Sequence, residues 1–197
     1  MDSERFLIMS VIVIGGNPGT GKTMIAAELS KKLELPVVQL GTIAEENGCI
    51  REHDDQRSSN VIDEDCLVEA IHNLFYENDE DFIIEGHYVD LVPSRKVKEI
   101  IILRTHPDVL RERLLERGYD KAKVNENVEA EVMGVCQMDA IFSFGEDAVY
   151  EIDTTSISVD ECVNTIIEIL GSNKKPEHID WMDLLEEQGI LEDYISL

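Results

Sequence analysis

The sequence predicts an α/β protein built on a doubly wound, five-stranded parallel sheet, and three observations lead there. Apolar runs rich in Ile and Val recur along the chain, as strands buried on both faces require. Between them lie segments with apolar residues at helical spacing, and this alternation is the pattern of βαβ units joined by right-handed crossovers. A length of 197 residues, 43% hydrophobic and 30% charged, suits one well-cored domain and excludes collagenous, disordered or disulfide-scaffold chains.

The elements follow in order. Phe6 to Ile14 reads as a buried strand that ends in a glycine loop. From about Lys22, residues Ile25, Ala26, Leu29 and Leu33 mark one helical face, and Pro36 to Leu40 makes a second, short strand. Residues 41–62 are polar and irregular, with Arg51 and Arg57 among many acids. A helix from about Asp63 to Tyr76 follows, with Asp63 or a neighbour as its cap. Phe82 to Glu85 is a third strand that ends on an acid, and Ile100 to Leu103 is a fourth that runs into Arg104. After Pro107, Val109 to Glu116 forms a helix that closes at Arg117-Gly118, the usual place of a left-handed cap. A further helix runs from about Asn125 to Phe142, a fifth strand from Ala148 to Ile152, and a last core helix from Val159 to Leu170. The polar break from Gly171 to Pro176 divides this domain, residues 1–170, from an acidic amphipathic tail, 171–197, with Trp181, Leu184 and Leu185 on one face.

Forty-two acids against seventeen bases give a net charge of −25. Independent binding to DNA or RNA is disfavoured, since it needs surplus Lys and Arg to displace counterions from phosphates. Either a basic protein partner or adaptation to a salty cytoplasm accounts for such a field. The cysteines Cys49, Cys66, Cys136 and Cys162 are scattered without a CxxC pair, so neither a zinc site nor a disulfide framework is expected, and a reducing cytoplasm fits. The N-terminal apolar run lacks the charge pattern and cleavage site of a signal peptide, and no run approaches the roughly 18–20 residues of a membrane span. A cytoplasmic protein with no membrane partner is the expectation.

Chemistry concentrates in Gly16-Asn17-Pro18-Gly19-Thr20-Gly21-Lys22-Thr23, which matches G-x-x-x-x-G-K-[ST] between a predicted strand and helix. In such a phosphate-binding loop (P-loop), Gly16, Gly19 and Gly21 let backbone N–H groups curl around phosphate oxygens, and the helix N-terminus adds partial positive charge. Lys22 balances the β- and γ-phosphates, while the Thr23 hydroxyl reaches Mg²⁺. Glu85, closing its strand, is the placed candidate to hold the metal's hydration shell. His87 two residues on is either a loop residue or part of the chemistry. Arg113 and Arg117, four apart, either close over a triphosphate as a lid or pair with Glu112 and Glu116 in solvent. Arg51 and Arg57 are candidates to hold a second phosphate, or else form surface salt bridges. A GTPase is disfavoured, because Asn173-Lys174-Lys175-Pro176 lacks the aspartate of a guanine-reading NKxD.

Jointly these motifs resemble the adenylate kinase isoenzyme 6 family, the small adenylate-kinase-like ATPases also called coilin-interacting nuclear ATPases, in its archaeal form. The likeness covers about residues 11–170. It is carried by GNPGTGKT at 16–23, Leu40 to Glu45, Ile62 to Asp65, Glu85-Gly86-His87, Arg113 to Tyr119, Lys123, and Glu126 to Glu131. The resemblance implies a P-loop fold of the nucleoside-monophosphate-kinase type. By it, residues 16–24, including Thr20 and Met24, bind ATP, residues 41–62 form the monophosphate-binding segment, and 113–123 form a short lid carrying Arg113. Two departures stand out: Glu85 where the family commonly has Asp, and Met24 where it often has Thr or Ser. The implied activity is reversible transfer from MgATP to AMP with accompanying ATP hydrolysis. The implied partner is a basic platform protein of the small ribosomal subunit, in a role in that subunit's maturation. The rival expectation is a metabolic nucleoside-monophosphate kinase of pyrimidine or broad acceptor specificity.

Overall fold

The computed structural model describes residues 10–54, 59–172 and 175–195. Val11–Gly15 (β1) is buried along its whole length and feeds, through the glycine loop, helix Lys22–Leu33 (α1) and the three-residue strand Val37–Gln39 (β2). Residues 41–62, expected to be irregular, instead hold the end of helix Leu40–Glu46 (α2) and an antiparallel hairpin, Ile50–Asp54 (β3) with Ser59–Ile62 (β4). Cross-strand pairing supplies the order that local propensity does not announce there. Helix Glu64–Glu77 (α3) starts where expected, with the Asp63 carboxylate accepting from the Cys66 N–H as its cap. Phe82–Glu85 (β5), Val97–Arg104 (β6) and Val149–Asp153 (β7) complete the parallel sheet in the order β2-β5-β1-β6-β7.

Helix Pro107–Glu116 (α4) has its proline in the first turn, and Gly118 takes φ +80° just beyond the end, as the sequence indicated. The helix expected over about 125–142 is two: Lys121–Val132 (α5) and Val135–Phe144 (α6), separated at Gly134, whose φ of +65° ends the first. Asp120 caps α5 at the Lys123 N–H. Helix Val159–Leu170 (α7) opens with a reciprocal box in which Ser158 and Glu161 satisfy each other's backbone.

Alternation along β1 makes the fold double-sided. Val11 and Val13 join Leu67, Ile71, Phe75 and Ala140 on the face covered by α2, α3 and α6. Ile12 and Ile14 point the other way, into Ile25, Leu29, Val163 and Ile166 of α1 and α7. Phe6 to Met9 of the expected first strand, and the Asn173-Lys174 pair, lie outside the described residues. Among the described residues no helix is long and apolar enough to cross a membrane.

The tail is joined to this domain. Asp180 caps helix Trp181–Glu187 (α8), which buries Trp181 and Leu185, with Leu184 half-buried beside them. Further on, Tyr194 donates to the Asp108 carboxylate at 2.5 Å and lies under the Arg111 guanidinium.

The expected absence of a disulfide is overturned as well. Cys49 and Cys66, seventeen residues apart, form a disulfide. No short spacing signals it: the hairpin between them returns the chain so that the Asp63 N–H donates to the Cys49 carbonyl at 2.8 Å, bringing the foot of β3 against the start of α3. Cys66→Ser is expected to lower stability by roughly 2–4 kcal/mol, the usual worth of closing a loop of this length. Urea denaturation with and without reductant checks this; a wild-type chain indifferent to reductant would show that the bridge contributes nothing.

Candidate active site

The site grows from the end of β1. The chain turns through Gly16 at φ +134° and Gly19 at φ +94° before α1 begins, in conformations that L side chains rarely adopt. A Cβ on Gly16 would come within 2.5 Å of the Leu103 carbonyl oxygen, so the loop is held too close to β6 for any side chain. Thr20, fully buried, donates its hydroxyl to the Asn17 carbonyl at 2.9 Å, and Thr154 after β7 donates to the Thr20 carbonyl at 3.0 Å. These bonds fix the loop from inside. Asn17 in turn donates its side-chain amide to Glu131 at 2.6 Å.

Lys22 is 8% exposed and reaches back to the Asn17 carbonyl at 3.0 Å. Burial pulls its pKa down to about 8, the nearby Arg117 cation adds to the fall, and Glu85 opposes it. Thr23, exposed on the first turn of α1, donates its hydroxyl to the buried Glu85 carboxylate at 3.1 Å. The loop after β5 then brings His87 Nδ1 within 3.1 Å of the Gly16 carbonyl. A carbonyl only accepts, so Nδ1 carries the hydrogen and Nε2 presents a lone pair. The pocket walls desolvate the ring, although its outer side is open to solvent. That desolvation, with the Lys22 ammonium behind it, lowers the His87 pKa to about 4, so the imidazole is neutral at physiological pH.

These groups surround one cavity of about 290 Å³, lined by Gly19, Gly21, Lys22, Thr23 and Met24 on one side. Gln39, Leu40, Gly41, Glu85, His87, Tyr88, Arg117 and Tyr119 line the rest. It lies beyond the carboxyl ends of β1 and β5, where connections leave the sheet in opposite directions, the usual seat of a ligand in such folds. A second cavity, about 470 Å³, lies behind Gly19 to Gly21 and is walled by Met24, Arg113, Arg117, Thr154, Ile157, Val159 and Cys162.

The expected arginines part company. Arg117 is exposed and lines both cavities. Arg113 is committed to backbone: it donates to the Thr154 carbonyl at 2.8 Å, and lies 3.4 Å from that of Thr155 and 3.5 Å from that of Gly19. The segment expected to form a lid, 113–123, runs from the last turn of α4, which carries Arg113, through a four-residue turn into α5. Arg51, expected to hold a second phosphate, is in the wall of neither of these cavities. It pairs with Asp63 at 3.0 Å on the surface, a bond that raises its own pKa and lowers that of Asp63. Arg57 lies outside the described residues. A cavity of about 710 Å³ between α2 and α3, bordered by Thr23, Gln39, Thr42, Asn47 and Asn73, has Glu46 and Glu77 in its wall and, among the described residues, no lysine or arginine.

Thr23 and Glu85 fit a hydrated divalent cation. Among the described residues no group of three or more His, Cys, Asp or Glu side chains could hold a metal on its own. An ion at this pair would take its other ligands from phosphate and water, which is how Mg²⁺ is usually bound beside nucleotides.

Sequence reasoning missed Asn17, Glu131, Tyr88 and Trp181 as members or supports of the site. For Glu131 a signal exists: Val124, Val128, Glu131 and Val132 share the buried side of α5, and a carboxylate among valines needs partners.

Residues 12–134 match the protein family described as an AAA domain. The chain is 36% identical over 179 residues to a Pyrococcus abyssi protein named "Putative adenylate kinase", covering 90% of this chain and 94% of that protein. It is 32% identical over 168 residues to the Caenorhabditis elegans adenylate kinase isoenzyme 6 homolog, covering 85% of this chain and 92% of the relative. Among solved structures, shikimate kinase from Bacteroides thetaiotaomicron superposes with a TM-score of 0.55 at 20% identity, covering 83% of this chain and 99% of the other, a likeness of fold.

Proposed function

The chain belongs to the adenylate kinase isoenzyme 6 family, and from that premise we propose that it transfers the γ-phosphoryl group of MgATP to AMP, giving two ADP, and hydrolyses ATP when no acceptor is bound. The observation that carries this reading is the convergence of the P-loop, the Thr23–Glu85 pair and His87 on one cavity that continues to Gln39 and Tyr88. Mg²⁺, when bound at Thr23 and Glu85, would neutralise charge on the β- and γ-phosphates. The backbone N–H groups of Gly19 to Met24 and the Lys22 ammonium would hold those phosphates, and Arg117 at the rim would offset charge developing on the moving phosphoryl. Arg113 would keep the Gly19 and Thr154 segments together beneath it. The phosphate oxygen of AMP then forms the new P–O bond as the bond to the ADP leaving oxygen breaks.

The test is ADP formation from MgATP alone and with each nucleoside monophosphate. AMP stimulation above the ATPase rate supports the reading, preferential stimulation by CMP or UMP supports the pyrimidine kinase, and no turnover in any arm sinks both.

His87 separates the two acceptors. Its Nε2 lone pair can orient a water, whereas bound AMP brings its own positioned nucleophile. His87→Ala is expected to reduce hydrolysis roughly 10²-fold while reducing AMP phosphorylation far less. Equal losses in the two assays would make it a structural residue.

Proton linkage gives a further expectation. Free Lys22, with its pKa near 8, is largely neutral at pH 9, and a bound triphosphate favours its charged form. Nucleotide binding at pH 9 should therefore take up a proton, and affinity should fall as pH rises past about 8. Calorimetry in buffers of differing ionisation enthalpy measures this; no buffer dependence would place Lys22 away from the phosphates.

For the partner, the reading is a cytoplasmic role in small-subunit maturation through a basic platform protein. It is supported by the net charge of −25 and by an apolar stripe on α6, Val135, Met138 and Phe142, where Phe142 is 93% exposed. Binding should weaken as salt rises. Calorimetry against platform proteins at low salt decides, and absence of binding to all of them removes this part of the proposal.

A further inference from the structure

The Glu131 carboxylate is 0% exposed and is shared by three parts of the molecule. One oxygen, Oε2, accepts from the Asn17 side-chain amide of the P-loop at 2.6 Å. The other, Oε1, accepts from Arg104 Nε at 2.9 Å, from the Thr105 N–H at 2.9 Å, and from the Trp181 indole N–H at 3.1 Å. Arg104 also reaches past Glu131 to the Ile179 carbonyl of the tail at 3.0 Å, and the Ile179 N–H returns to Glu151 at 3.2 Å. The tail is thus bonded to the group that holds the P-loop. Asn17 is also the residue whose carbonyl receives both Thr20 and Lys22, so its position fixes theirs.

Resting on the nucleotide-binding reading above, we infer that Glu131 is a positioning residue of the nucleotide site and that Trp181 of the tail acts on that site through it. With the indole bond in place, the carboxylate is immobilised and can hold Asn17, and hence the loop, in the phosphate-receiving conformation. Without it Oε1 keeps Arg104 and the Thr105 N–H but loses one of its three donors, so the carboxylate, and with it the Oε2 that Asn17 reaches, is held less firmly. Binding must then order the loop at its own expense, and affinity falls.

The experiment uses the full chain and adenylyl imidodiphosphate, an ATP analogue that is not turned over, with affinity measured by calorimetry. Trp181→Phe keeps an aromatic ring on α8 but removes the N–H together with the five-membered ring of the indole. It is expected to weaken binding about five-fold, less than the full worth of one hydrogen bond to a charged group, and to lower thermal stability modestly because the smaller ring fills less of a buried site. In an Asn17→Ala background the same change should do nothing further, because the route through Glu131 is already cut. Tyr194→Phe, elsewhere on the tail, should leave affinity unaltered. Trp181 is the chain's one tryptophan, so its emission should also shift when the analogue binds the wild type. Should Asn17→Ala fail to fold, that shift and the Trp181→Phe affinity decide.

Equal weakening by Trp181→Phe in both backgrounds, or wild-type affinity in Trp181→Phe together with an unmoved emission, would overturn the inference. Wild-type protein that binds no analogue would instead refute the nucleotide-binding reading.

Discussion

Replacing Lys22 with alanine is expected to leave a folded protein that turns over ATP roughly a thousand-fold more slowly. The two halves of that outcome have separate causes. Lys22 projects from the first turn of α1 and, among the described residues, bonds only the Asn17 carbonyl, while the core of that helix is made by Ile25, Ala26 and Leu29. Its charge is held at a cost, as the fall of its pKa to about 8 records, so folding does not depend on the ammonium. Transfer does, because among the described residues no other cation reaches the inner side of the loop: Arg117 stands at the rim, and Arg113 is occupied with backbone carbonyls. ADP formation and a thermal melt on the same preparation measure both halves. Turnover within a few-fold of wild type would place the chemistry elsewhere.

Arg104→Met should have the largest effect on stability, about 3–5 kcal/mol, a large part of what a domain of this size possesses. Arg104 is 2% exposed and carries five hydrogen bonds, to the carboxylates of Glu131 and Glu151, the Gln137 side chain, and the Glu131 and Ile179 carbonyls. The carboxylates of Glu131 and Glu151 are themselves fully enclosed. Methionine fills similar space but leaves both without their cation, and an enclosed charge without its partner costs far more than the pair was worth. Urea denaturation gives the number, and a loss under 1 kcal/mol would mean that these carboxylates have other means of compensation.

Much of the sheet was legible because strands covered on both faces write themselves as unbroken apolar runs, and the loop between β1 and α1 has a spacing that few other structures demand. The break at Gly134 was harder to read, since the apolar periodicity of α5 resumes in α6 after one left-handed residue. The hairpin at 50–62 has no apolar alternation, and its order comes from pairing and the Cys49–Cys66 bridge, both long-range effects. Within the site, Lys22 and Thr23 could be read from the spacing of the glycine loop, and Glu85 and His87 from the end of β5. Arg113 could be named but not aimed: spacing places it on a helix face without saying that carbonyls of the β7–α7 loop lie across from it. Asn17 escaped because it looks ordinary alone, while the valines around Glu131 call for a partner without naming it; the meaning of both comes from a contact across 114 residues.

The Cys49–Cys66 bridge has a consequence for recognition as well as for stability. It joins the foot of β3 to the first turn of α3, beside the Arg51–Asp63 pair, and closes the segment between into a covalent ring. A free segment of that length would have to surrender its conformational freedom each time a ligand settled against it, whereas the ring has given up most of it once, during folding. Oxidised and reduced protein would then present the same side chains to such a ligand and differ mainly in the entropy of holding them still.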